Sequence, residues 1–454
     1  MAGASRTVAT AAGALATVLL ARLLGPGNFG TFSIAASLIA LLTAAVSLGI
    51  EHGIAYFVSA GDWPPRAAHL ASLKVSAIMG IAGAGVALIV RLLVPSAFAG
   101  LSVGLTAVTV AALPFGLAWL YASYIALATD RYETFMLIPA SQACAFLALT
   151  VLGAALFGVA GAVIGMALSA VTVGVASIAW GLRRLPRVSA SGRGNLLRRA
   201  MSFGLKGYAA NALGVISYRA DLFILAAVAS SAAVGHYSTA VAATSLLLVL
   251  PNALSDVLYP RVARLSAAGD DAALDLVETK SLRHVSLVTI VTLPALVVAI
   301  ELLIVPVFGP EFSPSIDLAL ILLPGVALSS ITGVMVSSVV GRGKPMYSLY
   351  AGLVTLPLTL VLYVGLIPPL GASGAALASS LSYLLSFLLI SWYYRRITGR
   401  RVLPLLYPTR AELEDLRSLA GATRRSAGDV RQRMRMRLRL GRLRVPPDRD
   451  EGGS

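Results

Sequence analysis

RRLPRVSASGRGNLLRR, from Arg183 to Arg199, holds six arginines and no acid around a centre of serine, glycine and proline. Neither a membrane span nor a packed core tolerates such a stretch, because each buried guanidinium would need a partner that the segment does not bring. Very apolar sequence of similar length lies on either side. The segment therefore reads as a basic connector between two bundles of membrane helices, and its arginines place it on the cytoplasmic side.

The composition agrees. Of 454 residues, 57% are hydrophobic and 12% charged, whereas a soluble domain carries about 25% charged residues. The net charge is +16, and the segment from Arg395 onward supplies 16 Arg against 7 acids, or +9 of it. A basic protein ordinarily suggests nucleic acid. Here the positive charge borders apolar runs, so the expected partners are anionic membrane lipids at the connector and tail, with no nucleic acid. The single cysteine, Cys144, excludes a disulfide framework and is expected as a small packed residue. The first apolar run, about Val8 to Leu24, follows only Arg6 and no processing region, which makes it a retained helix.

A span needs roughly 20 apolar residues. Six fit the first half, at Thr7–Leu24, Phe29–Ile50, His69–Val94, Leu101–Leu127, Thr134–Leu156 and Val159–Leu182. Six more fit the second, at Met201–Ala229, Ala233–Tyr259, Leu282–Phe308, Pro314–Val340, Met346–Ile367 and Gly371–Tyr394. With the N-terminus inside, the inner loops hold Arg66, Lys74, Arg131, the connector, Arg261, Arg264, Lys280, Arg283, Arg342, Lys344 and the tail. The outer side keeps Arg22 and Arg91 with the acids Glu311 and Asp317. That asymmetry predicts a multi-pass protein of the cell membrane with both termini cytoplasmic. The organisation expected is a lobe over 1–182, the connector over 183–200, a second lobe over 201–394, and a basic, largely disordered tail over 395–454. The outer loops are too short to carry an active site, so no enzyme is expected.

The two halves also echo one another. GTFSIAA (Gly30–Ala36) returns about 205 residues later as GHYSTAV (Gly235–Val241), and GVAGAVIGMALSA (Gly158–Ala170) returns about 213 residues later as GASGAALASSLSY (Gly371–Tyr383). A repeat of six helices enters the membrane twice in the same sense, which relates the halves by an axis along the membrane normal. Prolines inside spans, Pro114, Pro139, Pro251, Pro294, Pro324 and Pro357, suit helices that bend between states as well as they suit ordinary membrane packing.

ARLLGPGNFGTFSIAASL (Ala21–Leu38) with AAVSLG (Ala44–Gly49) resembles the first hairpin of the polysaccharide and O-antigen flippases of the multidrug/oligosaccharidyl-lipid/polysaccharide exporter superfamily. The second half is similar in Asp221, Val234 to Ser238, Pro251, and Pro260 with Arg261. The resemblance runs to about Tyr394. It implies an all-α integral membrane protein of about twelve transmembrane helices, in two six-helix lobes forming a V around a central cavity. It also implies a flippase that carries a polyprenyl-diphosphate-linked oligosaccharide from the cytoplasmic to the outer leaflet by alternating access, for cell-surface polysaccharide biosynthesis alongside other assembly proteins. The long arginine-rich tail and Asp256 depart from the family pattern.

A flippase must bring a pyrophosphate through a low-dielectric interior, and arginine's planar fork suits phosphate best. Arg219 is the first candidate for the substrate phosphate, followed by Lys206, Lys74, Arg22 and Arg91 on cavity walls or helix ends. Asp221, Glu301 and Asp256 are candidates for positioning that arginine or carrying a coupling ion. Residues two apart on a helix do not face each other, so Arg219 and Asp221 each need a separate partner. Structural bridges between helices are the alternative for both. His52, His69, His236 and His284 lack metal-ligand spacing and read as structural or surface residues. The aromatics of WLYASY (Trp119–Tyr124) read as an interfacial belt. RQRMRMRLRLGRLR (Arg431–Arg444) alternates arginine with apolar residues and forms no single basic helix face, which suits disordered contact with anionic lipid or a cytoplasmic partner. No cofactor is expected. With no G-x-x-x-x-G-K-[ST] loop, the drive is left open between proton, sodium and membrane potential. An exporter of small organic cations and a membrane enzyme of polysaccharide assembly are the competing functions.

Overall fold

The computed structural model describes residues 2–186, 196–407 and 409, without the side chains of residues 2–8, 206, 207, 210 and 211. Expectations about the connector centre and the Arg-rich tail lie outside the described residues. Thirteen α-helices occur among the described residues, with no strand. In the first half they are α1 (Ala2–Ser47), α2 (Ile50–Ser59), α3 (Pro65–Leu93), α4 (Val103–Ala111), α5 (Leu113–Ala128) and α6 (Tyr132–Arg184). In the second they are α7 (Leu196–Val228), α8 (Ser231–Thr244), α9 (Val249–Ala268), α10 (Asp271–Phe308), α11 (Ser315–Gly341), α12 (Met346–Thr398) and α13 (Val402–Leu405).

Three helices are double passes broken at a glycine. α1 breaks at Gly25 (φ 67°, ψ 172°) before Pro26, α6 at Phe157 and Gly158 (φ 60°, ψ −142°), and α12 at Gly371 (φ 58°, ψ −132°). Positive φ costs glycine nothing because it has no Cβ. By length and composition, 8 helical segments among the described residues can cross a membrane. Counting the three broken ones twice and adding α7 gives the twelve passes expected. α7 carries Arg198, Arg199 and Lys206 in its first half and Arg219 and Asp221 in its second. All three breaks fall on the face opposite the connector, called here the short-turn face. The second pass also runs further than expected: a left-handed turn at Leu48 and Gly49 lets the chain restart as α2 and continue to Ser59.

The repeat is visible in the backbone. Gly158 and Gly371, matched by sequence offset, share nearly the same non-helical φ and ψ. Three residues on, a Cβ at Gly161 would lie 2.0 Å from the Gly153 carbonyl oxygen, and one at Gly374 would lie 2.0 Å from that of Leu366. Both hairpins therefore close through a glycine eight residues from the carbonyl it touches. Lipid tails are as apolar as leucine, so close backbone approach through small residues supplies the attraction between such helices.

The lobes, α1 to α6 and α7 to α12, touch at both faces. At the short-turn face α1 crosses α8 at the other matched pair. A Cβ at Gly30 would lie 1.9 Å from the Ser231 carbonyl oxygen, and one at Gly235 2.0 Å from that of Pro26. The two copies of the repeat thus form the seam. At the connector face Gly49 meets Gly204 and Tyr208, Gly53 meets the Ala200 carbonyl, and the rings of Tyr56 and Phe203 stack at 4.7 Å. Arg183 and Arg184 close α6 while Arg198 and Arg199 open α7, so the connector's arginines begin inside helices. Cys144, expected to be packed, is exposed: its position on α6 faces outward from the bundle.

Candidate functional site

Asp221 is 4% exposed, and hydrogen bonds from neutral groups hold it in place. One carboxylate oxygen accepts from the Leu222 backbone N–H at 2.7 Å; the other accepts from the Tyr237 hydroxyl on α8 at 2.5 Å and from Ser379 on α12 at 3.4 Å. Ser379 also bonds Tyr237 at 3.0 Å and the Tyr363 hydroxyl at 3.2 Å, while Tyr363 donates to the Ser217 carbonyl at 3.1 Å. A buried carboxylate without partners would cost several kcal/mol or neutralise. The donors come from three helices, so the acid also ties α7, α8 and α12 together.

Arg219 points to a different place. Its Nη1 lies 3.4 Å from Ser37 Oγ on α1, a contact from one lobe to the other at mid-span. The neighbouring acid and base therefore have separate partners, as the two-residue spacing requires. Arg219 is half-buried.

A second feature lies between the lobes. A cavity of about 540 Å³ is lined by α1 from Ala9 to Val18, Phe146 of α6, the segment from Ala242 to Val249, and α10 from Leu296 to Phe308. Its lining is almost entirely apolar, and neither Arg219 nor Asp221 reaches it. Arg22 stands just beyond Val18. It donates to the Val307 carbonyl at 2.6 Å and to that of Pro306, capping the last turn of α10, whose carbonyls have no helical partner.

The remaining candidates scatter. Arg91 donates to the Leu101 carbonyl at 3.0 Å and lies over the Phe98 ring at 5.4 Å, so it organises the turn after α3. Lys74 on α3, Asp256 on α9 and Glu301 on α10 are exposed, and none lines the apolar cavity. The Lys206 side chain lies outside the described residues. Of the histidines, His69 is fully buried and sits against Gly181, in keeping with a structural role. Tyr121, expected in an interfacial belt, is instead fully buried and donates to the Ser47 carbonyl at 3.3 Å, pinning the end of α1.

Sequence reasoning missed a second buried acid. Glu278 on α10 is 1% exposed and takes two hydrogen bonds from Arg342, each at 2.7 Å, one from Tyr394 at 3.1 Å, and one from Ser338. Asp275 joins Arg342 at 3.4 Å and also pairs with Arg400 beyond α12. The hydrogen bonds that Arg342 donates to Glu278 push the Arg342 pKa above the ordinary guanidinium value. This cluster clamps α10, α11 and α12 together at the connector face.

Comparison with known proteins meets this architecture. The model of the polysaccharide biosynthesis protein family matches residues 19–317, and the chain belongs to that family. It is 26% identical over 236 residues to the probable low-salt glycan biosynthesis flippase of Haloferax volcanii, covering 49% of each chain, so the match spans about half the length of that curated relative. The fold is similar to an inward-facing multidrug resistance MATE family transporter of the MOP superfamily, with TM-score 0.69, 17% identity, and 86% of this chain and 94% of that one covered. It is equally similar to the lipid II flippase MurJ in an inward closed conformation, with TM-score 0.69, 12% identity, and 89% and 91% covered. An outward-facing MATE transporter superposes less well, at TM-score 0.60, 16% identity, and 87% and 93% covered.

Proposed function

We propose that this member of the polysaccharide biosynthesis family is a flippase that moves a polyprenyl-diphosphate-linked oligosaccharide from the cytoplasmic to the outer leaflet by alternating access. The observation that carries the reading is that the interface between the lobes holds both an apolar cavity and a half-buried arginine that contacts the opposite lobe. A polyprenyl chain needs hydrocarbon walls and a diphosphate needs a cation. The partial likeness to a glycan biosynthesis flippase and the shared fold with a lipid II flippase support the same substrate class. No covalent bond of the substrate is broken.

The cavity of about 540 Å³ takes part of the isoprenoid tail while Arg219 exchanges Ser37 for the diphosphate. Lys206 and Lys74 assist loading, Arg22 and Arg91 guide release, and Asp221 carries the coupling ion, with Glu301 and Asp256 in secondary positioning roles. The connector and both termini face the cytoplasm, where the basic segments contact anionic lipid. An exporter of organic cations would need a carboxylate on the cavity wall, and no residue lining the apolar cavity is acidic.

Binding tests the residue assignment. A polyprenyl diphosphate carrying a photoreactive group in its tail should label α1 and α10 of the purified full chain, and Arg219→Ala should reduce labelling about tenfold or more, the scale of a lost charge-assisted bond. Equal labelling of the variant would remove Arg219 from the phosphate site.

A further inference from the structure

A second cavity lies wholly inside the second lobe, between α7, α11 and the two halves of α12, with a volume of about 370 Å³. Unlike the cavity between the lobes it is rich in hydroxyls: Ser217, Thr332, Ser348, Thr355, Ser382 and Ser386 all line it. One end reaches Pro345 and Ser348, at the connector-face start of α12. The other reaches Ser217 and Tyr218, within one turn of Asp221 along α7. The Ser348 hydroxyl is buried and has no protein hydrogen-bond partner, which is the demand that a water molecule meets.

The far end joins the acid. Ser217 lines the cavity and its carbonyl receives the Tyr363 hydroxyl; Tyr363 bonds Ser379; Ser379 bonds Tyr237 and Asp221; and Tyr237 bonds Asp221. From this continuity we propose that the cavity is a proton vestibule, by which Asp221 exchanges protons with water at the connector face independently of the substrate cavity. The inference rests on the coupling role given to Asp221 above.

In the relay, a hydronium ion beside Ser217 gives a proton to the Tyr363 oxygen and is left as water, Tyr363 passes its own proton to Ser379, and so through Tyr237 to the Asp221 carboxylate. Each hydroxyl gains one proton and loses one, and the positive charge of the hydronium is cancelled by the negative charge of Asp221. The groups around Asp221 are Arg219 and Tyr218 on its own helix, Tyr237 from α8, and Tyr363, Ser379 and Tyr383 from α12. Arg219 is the single cation among them. Neutralising Asp221 removes a negative charge two residues from Arg219 without breaking a bond between them, which makes that arginine a better site for an anionic headgroup.

The test uses the full chain with Cys144→Ser in vesicles of phosphatidylethanolamine and phosphatidylglycerol. Single cysteines are placed at Ser386 and Thr355 in the vestibule, and at Thr150, fully buried in the other lobe, as control. A small cationic methanethiosulfonate should modify the two vestibule cysteines about tenfold faster than the control, since thiol reactivity follows water access. Ser386→Leu, which plugs the cavity without touching the relay, should reduce lipid movement under a proton gradient while substrate binding stays unchanged. Vestibule cysteines no faster than the control, or a Ser386→Leu protein that responds fully to the gradient, would overturn the vestibule and leave the flippase reading intact. A sodium gradient that drives movement where a proton gradient does not would also overturn it. A wild-type chain that moves no lipid would defeat the flippase reading, while the labelling rates would still decide the vestibule.

Discussion

Asp221 and Glu278 are both buried acids of the second lobe, at 4% and 1% exposure, and their partners differ in kind. Glu278 holds a fixed counter-charge, with both oxygens bonded by the Arg342 guanidinium. Asp221 is bonded by tyrosine and serine hydroxyls and one backbone N–H, all neutral. A carboxylate locked to arginine changes protonation only at great cost, whereas one held by hydroxyls can take a proton and keep its packing. Glu278 is therefore a clamp, and Asp221 is the acid to which the proposed coupling role falls.

Breaking the clamp should give the largest effect on stability. Arg342→Ala leaves Glu278 buried without its cation and should cost about 3–5 kcal/mol, the usual penalty for orphaning one member of a buried pair. Thermal unfolding in detergent reads it, and an unfolding temperature close to that of the wild type would make the pair dispensable. Asp221→Asn should behave in the opposite way. Its amide oxygen can still accept from the Leu222 N–H while its amide nitrogen donates to the Tyr237 oxygen, at a cost of about 1 kcal/mol, yet dependence of transport on a proton gradient should vanish. A variant that still responds to pH would move the coupling role elsewhere.

The two seams between the lobes extend the comparison from acids to motion. Gly30 and Gly235 pack backbone to backbone at the short-turn face, so Gly30→Ala, with a Cβ 1.9 Å from the Ser231 carbonyl, should force that face apart. Spin labels across the seam should report a longer distance, and an unchanged distance would show that the backbone shifts to absorb the methyl group. At the connector face the seam adds the stacked pair Tyr56 and Phe203. Phe203→Ala should weaken it by about 0.5–1.5 kcal/mol, shifting the lobes modestly towards an open connector face. A labelled pair unaffected by the change would rank the glycine contacts above the aromatic one.

The span count was legible because apolar length largely decides it, and the repeat was legible because its glycines are fixed by backbone geometry. The partners of Asp221 were not. Tyr237, Tyr363 and Ser379 lie 16 to 158 residues away in hydrogen-bonded pairs, inside runs whose hydroxyls look like ordinary membrane serines and tyrosines. Glu278 was hidden for another reason. Starting the ninth span at Leu282 left it in a loop beside Lys280 and Arg283, whereas α10 begins at Asp271 and carries it into the bundle. Lys74, Asp256 and Glu301 lie at exposed positions, which the sequence does not give: a span's place in the sequence sets depth, but not which side of its helix faces the protein.

The most direct test of the central claim is leaflet movement. Purified full-length chain in liposomes with a labelled polyprenyl-diphosphate oligosaccharide should carry the label to the opposite leaflet, at a rate that empty liposomes and the Arg219→Ala protein do not match. Movement no faster than in empty liposomes, under any imposed proton or sodium gradient or membrane potential, would contradict it.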